Sequence, residues 1–343
     1  MTMSPLPSQP LGLSYPTLEW PPGELPAVIN RRRFEALLQQ GFSKFGETHA
    51  VVLVQSGRLI YERHGPDHGP DATCMAWSKS KSITHALAGI LVADGKLDIL
   101  APADVPEWRA PGDPRAAITL DQLLRMSSGL EFSEVYLPEQ PSDTIAMMWG
   151  AGQDDVAHYA ADKPLDHAPN SYWSYSSGTT NIIARALART ADAFGPDFEA
   201  FMRERLFEPL GMRTPIPKFD AAGTFIGSSF CFTSARDFAR FGLLYLRDGV
   251  WEDRRILPPG WVDYARTPTW QQTEAEGRYG AHWWLGLAGP GSFSANGHEG
   301  QFTVVVPELD LIVVRHGKTP AALMSDLKVW IAALVHCFRA QSA

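Results

Sequence analysis

The alternation of hydrophobic and polar residues predicts β-strands near both ends of the chain. Val51–Gln55 and Arg58–Arg63 flank Ser56-Gly57, a dipeptide typical of a two-residue hairpin turn. Further strands are predicted towards the C terminus, at Tyr279–Leu287, Phe293–His298, Phe302–Val306 and Leu311–Val314. We interpret the alternating Thr303–Val306 stretch as an edge strand that forms a hairpin with the strand after it. Strands from both ends of the chain are therefore expected to meet in one sheet.

Apolar residues at helical spacing predict helices at both ends of the chain and in its middle. One helix is expected from Phe34 to Phe45 and a last one from Leu323 to Phe338. These elements predict an α/β (α+β) fold, in which an antiparallel sheet is flanked by N- and C-terminal helices. A mostly helical lobe is inserted at about residues 82–220. Residues 1–30 form a Pro-rich arm, and residues 31–340 form the domain.

The most informative motif is Ser78-Lys79-Ser80-Lys81, which directly precedes an amphipathic helical pattern that ends at Asp94-Gly95. Residues three apart share a helix face, so Lys81 is expected to reach the Ser78 hydroxyl. Serine needs a base to act as a nucleophile, and desolvation can hold a lysine neutral for that role. The N–H groups at the helix start can bind an oxyanion. Taken alone, the motif is equally well explained by a helix cap and a solvated lysine.

Two later segments contain the other candidate residues. Tyr175-x-Ser177 has the form of a Y-x-N/S element, in which a tyrosine beside a cation relays protons. His298-Glu299-Gly300 precedes Gln301 at the start of a strand, where the Gln301 N–H is a candidate second oxyanion donor. Taken alone, each segment also has an explanation without catalysis. The first would be a half-buried aromatic residue that caps a helix, and the second a polar turn between two strands.

In this order, the three motifs resemble the serine β-lactamase and penicillin-binding-protein superfamily, whose signature includes S-x-x-K. Within it the chain is similar to the class C-like branch, which holds family VIII carboxylesterases, 6-aminohexanoate-dimer hydrolases and D-amino-acid peptidases. The resemblance extends from about Phe34 to about Phe338 and includes Leu123–Leu130 and Thr233–Gly242. It implies a β-lactamase/transpeptidase-like fold with an active site between the sheet and the helical lobe.

The resemblance also implies a role for each motif residue. Ser78 would be the nucleophile that forms an acyl-enzyme, with Lys81 and Tyr175 sharing the proton transfers; which of the two accepts the serine proton stays open. The N–H groups of Ser78 and Gln301 would stabilise the oxyanion. His298 would hydrogen-bond near Tyr175 or the substrate. No cofactor and no metal is implied.

Two positions depart from the pattern of the resembled family. Ser177 replaces the asparagine of Y-x-N, and we expect it to contact the substrate amide or ester. His298-Glu299-Gly300 replaces K-T-G, and an inward-facing Glu299 carboxylate would repel an anionic substrate. Both departures favour a neutral ester, or an amide whose near end is not anionic, over strong β-lactamase activity.

Composition narrows the range of partners. The 343 residues have a net charge of −8 and no basic stripe, which argues against nucleic acid as a partner. No apolar stretch is long enough to span a bilayer, and Met1–Pro26 has no hydrophobic signal-peptide core. We therefore expect no membrane partner, a cytoplasmic location and a small-molecule substrate. The oligomeric state is not predicted.

Cysteines and paired histidines are interpreted as structural. Cys74, Cys231 and Cys337 are scattered without a C-x-x-C motif, which fits neither a disulfide framework nor a zinc site. His64 and His68 lie in a loop rich in Gly and Pro with no third ligand nearby in the sequence. A surface turn is therefore preferred to a metal site.

The leading hypothesis is a serine hydrolase that cleaves small esters or amides. A β-lactamase or D-amino-acid peptidase is the alternative with the same chemistry. A non-catalytic ligand sensor on the same fold is the alternative from another class, and the presence of all three presumed catalytic side chains argues against it. The absence of a G-x-S-x-G motif argues against an α/β-hydrolase.

Overall fold

A sheet assembled from both ends of the chain organises the molecule. The computed structural model describes residues 3–136, 139–269 and 278–339. Their strands are β1 (Glu47–Gln55), β2 (Arg58–His64), β3 (Thr73–Cys74), β4 (Ile216–Pro217), β5 (Cys231–Ser234), β6 (Val250–Trp251), β7 (Arg254–Arg255), β8 (Arg278–Tyr279), β9 (Trp284–Leu285), β10 (Phe293–Gly297), β11 (Gln301–Val306) and β12 (Leu311–Lys318). The main sheet has the order β2-β1-β12-β11-β10-β9-β8, and every pair in it is antiparallel.

The helices of the described residues lie mostly between β3 and β5 and at the two ends of the chain. They are α1 (Arg31–Ser43), α2 (Ser80–Ala93), α3 (Leu120–Leu124), α4 (Asp143–Trp149), α5 (Val156–Ala161), α6 (Ser177–Ala191), α7 (Pro196–Met202), α8 (Ala235–Leu246), α9 (Trp261–Ala265) and α10 (Met324–His336). The predicted antiparallel sheet with terminal helices is confirmed. None of the helices among the described residues is both long and apolar enough to span a bilayer.

The alternation within β1 divides the core into two layers. Val51 and Leu53 face the cluster formed with the terminal helices α1 and α10. Val52 and Val54 face the opposite cluster, which contains α2, α6 and α8. Because successive side chains of a strand point to opposite faces, one strand contributes to both layers. The pairing of Val52 with Val314 then joins the two ends of the chain across the sheet.

The hairpin prediction is confirmed, and two strand predictions are corrected. Ser56 and Gly57 both have positive φ, 48° and 71°, as a type I′ turn requires. The edge-strand interpretation of Thr303–Val306 is wrong because β11 lies inside the sheet between β10 and β12, and all its residues are buried. The predicted strand Tyr279–Leu287 is two short strands, β8 and β9, separated by a turn in which His282 has φ 56°.

Helix α2 differs from its predicted amphipathic character. Every residue from Ser80 to Leu91 is buried, because the helix lies within the larger core cluster rather than at the surface. Its polar side chains find internal partners. The Ser82 hydroxyl donates to the His282 carbonyl oxygen at 2.8 Å, and His85 Nδ1 lies 2.7 Å from the Tyr245 hydroxyl. Glycine ends the helix as predicted, since Gly95 has φ 67°.

The N-terminal arm packs against the domain through buried arginines. Arg240 Nε donates to the Pro16 carbonyl oxygen at 2.7 Å, and Arg247 Nε donates to Gln9 Oε1 at 2.9 Å. Arg247 also forms an ion pair with Asp310, and its side chain is 1 % exposed. The boundaries of the arm, the domain and the helical lobe stay predictions. Residues 1, 2, 137, 138, 270–277 and 340 of the predicted segments lie outside the described residues.

We expect Arg247→Ala to lower the free energy of unfolding by about 3 kcal/mol, because it leaves a partly buried carboxylate without its cation. Arg255 is the matched control: its pair with Asp248 has both side chains more than a third exposed. Such exposed pairs contribute at most about 1 kcal/mol. Urea denaturation of both alanine variants measures the difference, and equal losses would contradict the anchoring role of Arg247.

Candidate active site

Ser78 lies in a single 3₁₀ turn, Trp77–Lys79, that leads directly into α2. Trp77 has φ 50°, an uncommon conformation for a residue with a side chain. Lys81 is in the first turn of α2, and its Nζ lies 3.1 Å from Ser78 Oγ. The side chain of Ser78 is partly exposed, whereas Lys81 is 1 % exposed. The predicted contact is present, with an accessible hydroxyl in front of a buried amine.

The buried Lys81 amine has two other oxygen partners. Its Nζ donates to Ser177 Oγ at 3.0 Å and to the Ser228 carbonyl oxygen at 3.1 Å. Burial lowers the pKa of Lys81 to about 8, although the charge of Glu134 opposes this shift. Near that pH a large share of the amine is neutral, and its lone pair can accept the Ser78 proton.

Tyr175 is held in an aromatic cluster beside the lysine. Lys81 Nζ lies 4.8 Å from the centroid of the Tyr175 ring, which also packs against Trp284 and Tyr279. Burial raises the pKa of the Tyr175 hydroxyl above its ordinary value; the Glu134 charge adds to this rise, and a hydrogen bond with Ser78 opposes it. The hydroxyl is therefore protonated at neutral pH. Of the two candidate bases, Lys81 is the one with an accessible basic form.

Ser177 connects Lys81 to a carboxylate that sequence reasoning missed. The Ser177 hydroxyl donates to Glu134 Oε1 and its backbone N–H donates to Glu134 Oε2, each at 2.7 Å. Ser177 is completely buried, as the first residue of α6. Its hydroxyl is already bonded to Lys81 and Glu134, a placement that differs from the expected contact with substrate.

Glu134 receives hydrogen bonds from two further side chains. The Tyr136 hydroxyl donates to its Oε1 at 2.6 Å, and the Thr144 hydroxyl donates to its Oε2 at 2.9 Å. The carboxylate also lies at the N terminus of α6, where the helix dipole favours negative charge. No motif or periodicity marks Glu134, because it lies in a loop and Ser177, which connects it to Lys81, is distant in the sequence.

His298 and Gln301 lie at the turn between β10 and β11, which packs against the Ser78 turn. A Cβ added to Gly297 would lie 2.4 Å from the Ala76 carbonyl oxygen, so the two backbones are in close contact. The centroid of the exposed His298 ring lies 5.2 Å from that of Trp77. The Gln301 side chain bonds back to Gly317 of β12. The Gln301 backbone is thereby fixed next to the Ser78 turn.

The structure does not bring Glu299 together with Ser78, Lys81 and Tyr175. Glu299 has φ 58° and lines a groove that Trp77, Gln301 and Lys318 also line. None of the three presumed catalytic residues lines that groove. Its other lining residues include three whose side chains commonly bind metals: His49, His68 and Cys74. Spacing along the sequence does not reveal this cluster, because His49 belongs to β1 and Cys74 to β3.

The fold has known counterparts. The family model described as Beta-lactamase matches residues 38–335. The chain belongs to the β-lactamase family. It is a serine hydrolase of the β-lactamase-like superfamily, as the motif order predicts. This membership also confirms the predicted fold class.

Several members of this superfamily are similar to the chain along most of its length. The 6-aminohexanoate-dimer hydrolase of Paenarthrobacter ureafaciens is 23 % identical over 292 residues, which is 80 % of this chain and 73 % of the relative. A Bacillus anthracis protein assigned as a 6-aminohexanoate-dimer hydrolase has a TM-score of 0.76 at 20 % identity and covers 98 % of this chain and 90 % of its own. A family VIII carboxylesterase has a TM-score of 0.70 at 14 % identity. The match covers 92 % of this chain and 99 % of the carboxylesterase. The structural likenesses show a shared fold.

The pH dependence of hydrolysis is expected to follow Lys81 in this family member. The neutral amine is the basic form, so kcat/KM should rise with pH, with a midpoint near the pKa of Lys81 of about 8. The Glu134 charge raises that pKa, so Glu134→Gln should move the midpoint to lower pH. Glu131→Gln, an exposed neighbour in the same loop, is the matched control. pH profiles with a chromogenic ester measure the midpoints, and a Glu134→Gln profile that coincides with the control would contradict the coupling.

Proposed function

We propose that this protein hydrolyses small neutral esters and linear amides through an acyl-enzyme on Ser78. The observation that carries the proposal is the 3.1 Å contact between Ser78 Oγ and the buried Nζ of Lys81. A partly exposed hydroxyl beside an amine of lowered pKa is what an activated serine nucleophile requires. The names of the similar amide-dimer hydrolase and carboxylesterase support this substrate class.

In the proposed acylation step, Ser78 Oγ attacks the substrate carbonyl carbon while its proton passes to Lys81 Nζ. The tetrahedral oxyanion binds the backbone N–H groups of Ser78 and Gln301; one such donor contributes about 3 kcal/mol to transition-state stabilisation. The leaving alcohol or amine takes a proton by way of the protonated Tyr175 hydroxyl, which Lys81 resupplies. Water then attacks the acyl-enzyme along the reverse proton path and releases the acid.

The surroundings of Ser78 favour uncharged, partly apolar substrates. Trp77 packs against Trp149 and Phe230, and His298 stacks on Tyr136. His298 stands where the resembled enzymes place a lysine that holds a substrate carboxylate. A β-lactamase or D-amino-acid peptidase therefore remains the second candidate rather than the first.

A cytoplasmic location is our expectation for this small-molecule enzyme.

Replacing the nucleophile tests the proposal directly. Ser78→Ala should abolish ester hydrolysis while the protein stays folded, because Ser78 lies in a short turn and its loss removes no core volume. Mass spectrometry after treatment with a fluorophosphonate should find one adduct, on Ser78, in the wild-type protein. Retained turnover in a folded variant, or an adduct on Cys74 instead, would contradict the assignment.

The two buried lysines of the motif provide a matched pair. Lys81→Met should lower kcat by about a thousandfold, the range for loss of a general base, with little change in KM. Lys79 is equally buried, but its Nζ faces His316 at 2.9 Å and the Phe238 ring at 3.4 Å. Lys79→Met should keep kcat close to that of the wild type. Equal losses of kcat in both variants would mean that the removal of any buried amine lowers kcat, rather than the removal of a catalytic base.

A substrate panel separates the two candidate functions. Burst kinetics with a short-chain chromogenic ester, a linear amide and a cephalosporin should give acyl-enzyme turnover on the first two and little on the third. Rapid cephalosporin turnover with little esterase activity would instead favour the β-lactamase alternative. Binding without turnover of any substrate would favour the ligand sensor.

A further inference from the structure

Three side chains of metal-ligand type converge in the groove that Trp77 and Glu299 line. His49 comes from β1, His68 from the loop after β2, and Cys74 from β3. Their candidate ligand atoms all lie within 4.8 Å of one another. His49 Nδ1 is 3.3 Å from Cys74 Sγ, and the His49 and His68 rings stack with their centroids 4.0 Å apart. This cluster lies outside the network that connects Ser78, Lys81 and Glu134.

Hydrogen bonds fix which nitrogen of each histidine is available. His68 Nδ1 lies 2.7 Å from the Pro66 carbonyl oxygen, which can only accept, so Nδ1 has the proton and Nε2 has the lone pair. His49 Nε2 lies 3.3 Å from Glu47 Oε2, which leaves the Nδ1 lone pair directed at Cys74. A metal-bound histidine characteristically donates its other N–H to a carboxylate or carbonyl in this way.

We propose that His49 Nδ1, His68 Nε2 and Cys74 Sγ bind a Zn²⁺-type divalent cation. Zinc favours nitrogen and thiolate ligands in tetrahedral geometry, and metal–ligand distances of about 2.0–2.3 Å place ligand atoms about 3.3–3.8 Å apart. The cluster reaches this spacing when its atoms, now within 4.8 Å, draw together by about 1 Å and the two stacked rings tilt so that both lone pairs point at the ion. The Cys74 thiol releases its proton to solvent as the sulfur–metal bond forms. Glu299 lines the same groove.

The surrounding charges are mixed. Glu47 and Glu299 favour a cation in the groove, whereas Lys318, which lines it, and the nearby Arg315 oppose one. Binding would connect β1, β3 and the intervening loop. Because Trp77 and Gln301 also line the groove, the cation would lie directly behind the Ser78 turn.

Calorimetry on the full chain tests the site. The protein is stripped with EDTA, exchanged into metal-free buffer and titrated with Zn²⁺. We expect one saturable equivalent per chain in the wild type, and affinity at least about tenfold weaker in Cys74→Ser and His68→Ala. Cys337→Ser and His336→Ala are the matched controls. His336 is the last residue of α10 and Cys337 follows it, so these variants remove a histidine and a cysteine outside the cluster. Both should bind Zn²⁺ like the wild type.

Substitution with Co²⁺ gives a readout that needs no variant. The wild-type protein should show a thiolate-to-cobalt charge-transfer band and the visible bands of tetrahedral Co²⁺. The charge-transfer band should be absent from Cys74→Ser. Circular dichroism verifies that each variant is folded. Absence of saturable binding in the wild type, a cobalt spectrum without the thiolate band, or unchanged affinity in folded Cys74→Ser and His68→Ala would each overturn the proposal. Its failure would leave the Ser78 chemistry unaffected.

Discussion

Burial of the Lys81 amine next to a partly exposed Ser78 hydroxyl is the constraint around which the candidate site is arranged. Removing an amine from water disfavours its charged form, and this lowers the pKa of Lys81 to about 8. A buried amine also needs oxygen partners, which Ser177 and the Ser228 carbonyl provide from two other elements. The positions of α6 and of the segment before β5 therefore follow from the same requirement as the position of α2.

That requirement also explains why α2 is buried on all sides. The helix must place Ser78 near the surface and Lys81 in the interior within a single turn. It does so by entering the larger core cluster directly after the 3₁₀ turn. The sheet supports this arrangement because β10 and β11 pack their connecting turn against Ala76, just before Trp77. Close backbone contact at Gly297 leaves no space for a side chain there.

Features that depend on neighbours in the sequence were predictable. The Ser56-Gly57 turn, the glycine end of α2 and the contact between Ser78 and Lys81 each follow from a few adjacent residues. The environment of a strand does not follow from adjacent residues. β11 contains Thr303 yet is wholly buried, because strands pair with both of its edges and the two core clusters cover both of its faces. Glu134 and the cluster of His49, His68 and Cys74 were missed for the same reason, since only tertiary folding brings their partners together.

The four hydrogen bonds on Glu134 have a thermodynamic consequence. They connect the loop after Gly129 to the N terminus of α6, and the charge they hold raises the proton affinity of Lys81. Linkage is reciprocal, so a protonated Lys81 is expected to favour the ionised Glu134 carboxylate, and with it the hydrogen bonds of this loop, by the same factor. In the proposed mechanism, each transfer of a proton to or from the amine is therefore expected to change the stability of the loop. We expect the loop to be tightest when Lys81 has just taken the serine proton and loosest when the amine is again free to accept one.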